Sequence, residues 1–429
     1  MLTKIYKSCV GLDVHAKVIV ATLLKEEEGG AVKKETKEFG TYGENLKALC
    51  QWISESSAEI VAMESTGTYW MTVFEALEDA GIKAIVVNAR HMKNVPGRKT
   101  DVLDSEWIAE LLRCGLLRAS FIPPKGIRHL RLLTRYRRKL VAHGASEKQR
   151  LHKILDTAGI KLGLVVTDID GKSAREMIDA LIEGKKPLAT IAQMARRRMR
   201  SKIPEIEKSL VGKLSDTHRF LLRQIKARLL GIDATLSELD SEILKAMDPH
   251  REQWKLLQTI PGIDAIAAAM IIAEIGTDMT CFGNKSRLSS WAGICPGNNE
   301  SAGKKKSGKT SKGNQNLRSL LCETAHSASK TRSQFKSLFE GLAIRRGKKR
   351  AIIAVGHKQL EVIFTVLNRG KPYYDPQVNH EELMVKRNAP RWIKTLAQYG
   401  YISKAEKPQR PTGRTQGSKE TKTARTPRS

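Results

Sequence analysis

The chain has 429 residues and carries 75 Lys and Arg against 45 Asp and Glu, a formal charge of +30, while only 5% of its residues are aromatic. That balance favours a polyanionic partner, since neutralising phosphates releases condensed counterions, and it argues against a surface built mainly of base-stacking platforms. The length calls for two or three cores, no apolar run nears the roughly 20 residues that span a bilayer, and the N-terminus lacks a signal-peptide layout; a cytoplasmic, nucleoid-associated protein with no membrane role is expected.

Cys9 to Leu24 reads as two β-rich runs around the polar turn His15-Ala16-Lys17, hence a hairpin with Asp13 closing its first strand. A short strand near Lys37 to Thr41, a helix from Gly43 to Glu55 and a strand from Ile60 to Met63, ending at Glu64, come next. The helix Tyr69 to Ala80, the strand Lys83 to Val87 and a helix Val102 to Leu112, opened by Thr100-Asp101, complete the order β-β-β-α-β-α-β-α. The order predicts an α/β domain, a mixed sheet with helices packed on its faces.

Beyond Pro123 a long basic helical stretch carries Arg131, Arg135 and Arg138 among regularly spaced leucines, suited to lie along a nucleic-acid backbone. Shorter helices over Ala174 to Glu183 and Leu188 to Arg200 precede an apolar three-to-four pattern from Ile206 to Met247, which suits a coiled-coil arm or dimer seam and equally a helix within a bundle. Ile260-Pro261-Gly262 before an Ala-rich helix resembles the second half of a helix-hairpin-helix, with Asp264 where that motif has its second glycine. Helices are predicted at Lys285 to Ala292, Gln315 to Ser329, Arg332 to Gly347 and Lys349 to Asn368, and Lys404 to Ser429 lacks apolar periodicity and is expected to be disordered. The six scattered cysteines form no CxxC pair, so no structural zinc is expected.

Two constellations carry chemistry. Asp13, Glu64, Asp101 and Asp104 fall at strand ends and at the start of the last helix of the sheet domain, where open sheets place their crevices. Four acids converging there would repel one another unless Mg²⁺ or Mn²⁺ sits between them, and a metal pair can clamp the attacking and leaving oxygens of a phosphodiester exchange. Taken singly, each acid also suits an ordinary role as a strand end, cap or dipole partner. In the second, the loop Gly293 to Leu321 sets Ser301 just ahead of Lys304, Lys305, Lys306, Lys309 and Lys312, with Arg318 beyond. It reads either as a serine held among cations for attack on phosphorus or as a loop that only grips phosphate.

With these acids on this topology, and with Ile260-Pro261-Gly262, Pro296-Gly297, Glu300-Ser301, Ser311-Lys312-Gly313 and Leu317-Arg318 downstream, the chain resembles the DEDD transposases of the insertion-sequence "one-ten" family, described as RNA-guided DNA recombinases. The resemblance spans roughly residues 8 to 345. It implies an RNase H-like (RuvC-like) domain over 1–120, a basic helical linker and coiled-coil arm over 121–255, and a serine transposase domain over 256–345. C-terminal helices over 346–403 and a basic tail over 404–429 follow. It further implies Asp13, Glu64, Asp101 and Asp104 as the metal-binding tetrad and Ser301 as a nucleophile forming a phosphoserine bond to DNA. The expected partners are donor and target DNA, a guide non-coding RNA and a homo-oligomer, dimer or tetramer. The family shows Ser-Gly where this chain has Ser301-Ala302-Gly303, which leaves Ser307 and Ser311 as alternative hydroxyls. Two other classes stay open: a RuvC-type metal-dependent, structure-selective nuclease, and a non-enzymatic nucleic-acid-binding scaffold.

Overall fold

Apolar and β-branched residues fill the first two runs, and β1 (Ser8–Val14) and β2 (Val18–Glu26) pair as the expected antiparallel hairpin, Cys9 opposite Leu24 and Asp13 opposite Val20. The computed structural model describes residues 5–65, 67–88, 104–295, 299–301, 304–307, 310–376 and 380–402. β3 (Val32–Gly40) continues the sheet antiparallel to β2, while β4 (Ile60–Glu64) and β5 (Ala84–Val87) run parallel to β1, giving the order β3-β2-β1-β4-β5. β3 is longer than the strand predicted near Lys37, because its charged, mostly exposed residues show no apolar alternation and its extent is set by pairing with β2.

The period of two in β1 decides what each face meets. Val10, Leu12 and Val14 share a core with Leu49 and Trp52 of α1 (Gly43–Glu55) and Val73 and Leu77 of α2 (Trp70–Asp79). On the opposite face Cys9, with Ile60 and Ala62 of β4, packs on Ile108, Ala109 and Leu112 of α3 (Asp104–Arg113). Asp13 alternates with Cys9 and Gly11 and so belongs to the α3 side of the sheet.

The basic stretch is one helix, α4 (Lys125–Thr157), whose 33 residues reach roughly 50 Å at 1.5 Å per residue. It returns as α9 (Asp216–Ala246), antiparallel within the same chain: Arg137 pairs with Asp240, Arg228 with Glu147 at 3.6 Å, and Thr157 with His218 at 3.4 Å. Between them α5 (Leu162–Val165), α6 (Lys172–Glu183), α7 (Leu188–Ala192) and α8 (Ile203–Ser209) form a helical head, with Leu162, Met177, Ile191, Ile206 and Leu210 in one core with Leu155 and Leu222. The continuous helix read from Ile206 is therefore corrected. The chain breaks over 210–215, and Ser215 caps α9 through a reciprocal bond pair with His218.

A third core surrounds α11 (Ala265–Ile275), whose sequence AIAAAMIIAEI is buried almost throughout. Around it stand α10 (Arg251–Gln258), α12 (Lys285–Ala292), α13 (Gln315–Ala328), α14 (Gln334–Arg346) and α15 (Lys348–Arg369), and α16 (His380–Gln398) follows with Pro390 inside it. At the α10–α11 turn, where the sequence resembles half of a helix-hairpin-helix, the groups are bonded within the chain. The Asp264 carboxylate accepts from Ala267 N at 2.7 Å, taking the place an anion would fill, and the Pro261 carbonyl accepts from the buried Gln359 amide at 2.9 Å. Residues 404–429 lie outside the described residues.

Candidate active site and nucleic-acid interface

Three of the four acids belong to the same end of the sheet, where β1 and β4 finish and α3 begins. Leu12 registers with Met63, so Asp13 and Glu64 end neighbouring parallel strands. Asp104 opens α3, and α3 can lie on β1 because residue 11 is glycine: a Cβ there would sit 2.5 Å from Ala109 N and closer still to the Ser105 carbonyl. The buried hydroxyls of Thr22 and Ser105, 2.8 Å apart, pin the same contact one residue after Asp104. Asp101 lies outside the described residues.

Asp13 reports the proximity electrically. Burial raises its carboxyl above the usual aspartate value, and the Asp104 and Glu64 charges push it further, while His15, whose Nε2 is 2.9 Å from Oδ2, works the other way. Among the described residues no group of three or more His, Cys, Asp or Glu already stands ready to hold a metal ion. The chemistry of the donor set nonetheless fits one: hard carboxylate oxygens crowding one another are what Mg²⁺ or Mn²⁺ neutralises, and a cation would add an attraction that offsets the repulsion Asp13 feels.

The serine loop is closed at its neck by two glycines. A Cβ on Gly293 would lie 2.7 Å from Gly313 N and 2.8 Å from the Ser311 carbonyl, so the two chain ends touch backbone to backbone. Inside the loop Asn299–Ser301 and Lys304–Ser307 pair as β6 and β7, antiparallel, with Ser301 opposite Lys304 as the innermost pair. Sequence reading missed this hairpin, since NES and KKKS have neither β-branched residues nor apolar alternation. Lys305 and Lys306 also lie on β7, Lys309 falls outside the described residues, and Lys312 is exposed. Arg318 donates to the Ser311 carbonyl at 3.1 Å, holding the loop's descending limb to α13.

The arginines of α4 are the mortar between the two halves. Buried Arg128 bonds Glu78 of α2 at 2.6 Å and the Pro123 carbonyl at 3.1 Å, and lies 5.4 Å from the Phe74 ring centroid. One turn on, Arg131 donates to the carbonyls of Ala273 and Glu274, both at 2.8 Å; Arg135 forks onto the Glu274 carboxylate with two bonds of 2.9 Å; Arg138 reaches the Asn316 carbonyl at 2.6 Å. Glu274 also accepts 2.6 Å from Asn314, whose own side chain caps α13 at Leu317 N. Burial raises the Glu274 carboxyl, but the Arg135 and Asn314 hydrogen bonds and the neighbouring guanidiniums outweigh it and hold the group below the usual glutamate value. The sequence expects Arg131, Arg135 and Arg138 to lie along a nucleic-acid backbone; in the structure the three bond within the chain and still line a cleft. The same reading gives Glu274 no role. The sign was present: one carboxylate in an otherwise apolar helix needs a buried cationic partner.

A cleft of about 720 Å³ opens where these parts meet. Gly67 and Thr68, just past Glu64, line one wall, Asn316, just past the serine loop, lines another, and Arg135, Arg138 and Lys139 of α4 run between them. Its walls therefore join the ends of the acidic and serine segments through a cationic floor. No helix among the described residues is long and apolar enough to cross a membrane.

Two family models match the chain: the IS110-type DEDD model, described as "Transposase", over residues 10–160, and "Transposase IS116/IS110/IS902 family" over residues 254–340. Together they span more than half of it, the first taking in the acidic sheet and α4, the second the serine loop. The chain is 25% identical over 323 residues to the transposase for insertion sequence element IS1111A of Coxiella burnetii (strain RSA 493 / Nine Mile phase I), covering 73% of this chain and 79% of that one. Thermus thermophilus RuvC is similar over 26% of this chain and 99% of its own, at 15% identity and a TM-score of 0.21; RuvC in complex with a Holliday junction substrate gives 13% and 0.20 over the same shares.

Proposed function

The chain belongs to the IS110 family of insertion-sequence transposases, DNA-cutting and rejoining enzymes, and from that premise we propose that it works through a composite site whose acidic half and serine half face one cleft. The observation that supports this reading is a cleft lined by Gly67 and Thr68, which follow Glu64, by Asn316 at the start of α13 and by α4 arginines, with none of Asp13, Glu64, Asp104 and Ser301 among the described residues that line it. On this reading residues 1–120 are an RNase H-like domain, 121–255 the arm with its head, and 256–345 the serine domain, to whose core α15 also contributes.

Asp13, Glu64, Asp104 and Asp101 would hold Mg²⁺ or Mn²⁺, which when bound supplies positive charge at the phosphate and orients its oxygens. Ser301 is the nucleophile. Its Oγ bonds to phosphorus, the bond between phosphorus and one strand oxygen breaks, and that strand end leaves as a hydroxyl carrying a proton; an incoming hydroxyl reverses the step on the second strand. A serine hydroxyl is too weak an acid to do this unaided, and Lys304 across the hairpin, with Lys305, Lys306, Lys309, Lys312 and the Arg318 clamp, supports the developing charge. On the same reading a non-coding RNA selects donor and target DNA and the working unit is a dimer or tetramer; the +30 charge supports a nucleic-acid partner.

The test is cleavage of donor DNA with Mg²⁺ by the wild type, Asp13→Asn and Ser301→Ala. Both variants are expected to lose strand cleavage. Cleavage that survives Ser301→Ala, leaving free 5′-phosphate and 3′-hydroxyl ends, would mean that water attacks and that the chain is a metal-dependent nuclease. Unchanged activity in Asp13→Asn would sink the acidic half of the proposal.

A further inference from the structure

A second cationic feature lies far from the cleft, on the helical head, outside both stretches that match the family models. There Lys172, Arg196, Arg197, Arg198 and Lys202 line a cavity of about 650 Å³ that contains a single carboxylate, Asp168. Arg196 is paired with Glu176 at 2.8 Å, and Lys202 reaches the Val165 carbonyl at 3.4 Å. The Arg197 and Arg198 guanidiniums and the Lys172 ammonium make no ion pair among the described residues. Three arginines in succession line one cavity because Arg197 adopts φ +51°, a left-handed conformation that side chains with a Cβ rarely take. A neighbouring depression is lined by Arg196, Arg197 and Arg200 with Glu176, the partner of Arg196, so the cations continue beyond the first cavity.

An open track of forked guanidiniums suits successive phosphodiester oxygens more than a small enclosed ligand. Its placement suits them too. From Arg138 in the cleft to Leu155 in the head's core α4 climbs 17 residues, roughly 25 Å at its rise per residue, so the head stands well along the strut from the cleft. We infer that this head is a second nucleic-acid anchor, holding backbone phosphates of the same strand or duplex beyond the stretch that the cleft contacts. The inference rests on nucleic acid being the substrate, but not on Ser301 being the nucleophile.

The experiment uses the full chain with Lys172, Arg197 and Arg198 all replaced by Ala, beside a control that removes three other exposed head cations, Lys185, Lys208 and Lys213. Binding is measured by fluorescence anisotropy across a salt series to a 12-bp duplex, a 30-bp duplex and a hairpin RNA of matching length. The head variant is expected to lose affinity for a long ligand at least tenfold and to flatten its log–log salt slope by about 2 to 3, as the counterion rule requires for that many lost contacts, while the short duplex and the control stay near wild type. Loss with the 30-bp duplex alone assigns the track to DNA, and loss with the hairpin alone assigns it to RNA. Unchanged long-ligand binding, or equal losses in the control, overturns the inference. Covalent adduct formation by the head variant at saturating protein separates this result from failure of the catalytic reading.

Discussion

Gly11 decides where Asp104 stands. Replacing it by Ala puts a methyl group against the backbone of Ser105 and Ala109, which cannot rotate away, so α3 must lift from β1 and carry Asp104 with it. Gly11→Ala is expected to cost about 3 kcal/mol of stability, seen as a fall in the urea midpoint, and to abolish DNA cleavage even where the fold survives. Asp13 should behave in the opposite sense. Its raised carboxyl binds a proton more tightly in the folded state, so in metal-free protein its contribution turns unfavourable as pH climbs from the ordinary aspartate value of 3.8 through the raised one. Asp13→Asn is therefore expected to raise the metal-free Tm at pH 7 by about 1 to 3 °C while removing activity, a trade between function and stability that a thermal melt with and without chelator detects.

At the level of elements, Glu274 is the keystone between α4, α11 and α13. Glu274→Ala strands Arg135 and Arg131 without their anion and frees Asn314, and should cost about 3 to 5 kcal/mol. The pH dependence has a defined sign. Because the folded carboxyl is held below its ordinary value of 4.5, its stabilisation is full above that pH and is lost as pH falls through the lower, folded value. The Tm gap between wild type and Glu274→Gln should therefore narrow below about pH 4, and a gap that widened in acid would reverse the assignment. The elements themselves were largely legible. Residues 43–55 and 285–292 carry clear helical spacing, and each begins and ends in the structure where the pattern places it. β6 and β7 were not legible, since their pairing is a matter of backbone register. The start of α9 was hidden because Ile206 and Leu210 continue its apolar spacing while packing in the head. Among the site residues, strand-end acids announce themselves by position, whereas Gly11, Gly293 and Glu274 matter only through partners distant in sequence.

Across the whole molecule, α4 is a strut. Arg128 fixes it to the acidic domain, Arg131, Arg135 and Arg138 fix it to the serine domain, and its far half carries the head. Phe121, leading into α4, adds an apolar weld with Phe282 at 4.8 Å and Trp291 at 5.6 Å, the latter at the end of α12 just before the serine loop. The two halves are thus tied within one chain, and Arg128→Ala, which leaves Glu75 and Glu78 facing each other without their cation, is expected to lower cleavage well beyond its effect on DNA affinity. Mapping the adduct decides whether Ser301 joins DNA covalently with help from Asp13, Glu64 and Asp104. Donor DNA is incubated with the protein and Mg²⁺, the reaction is denatured and digested with protease and nuclease, and the nucleotide-bearing peptide is sequenced by mass spectrometry. A phosphodiester-linked nucleotide on Ser301 that disappears with chelator and with Asp104→Asn is expected. A nucleotide on Ser307 or Ser311, or an adduct that forms at full yield without the acids, would contradict it.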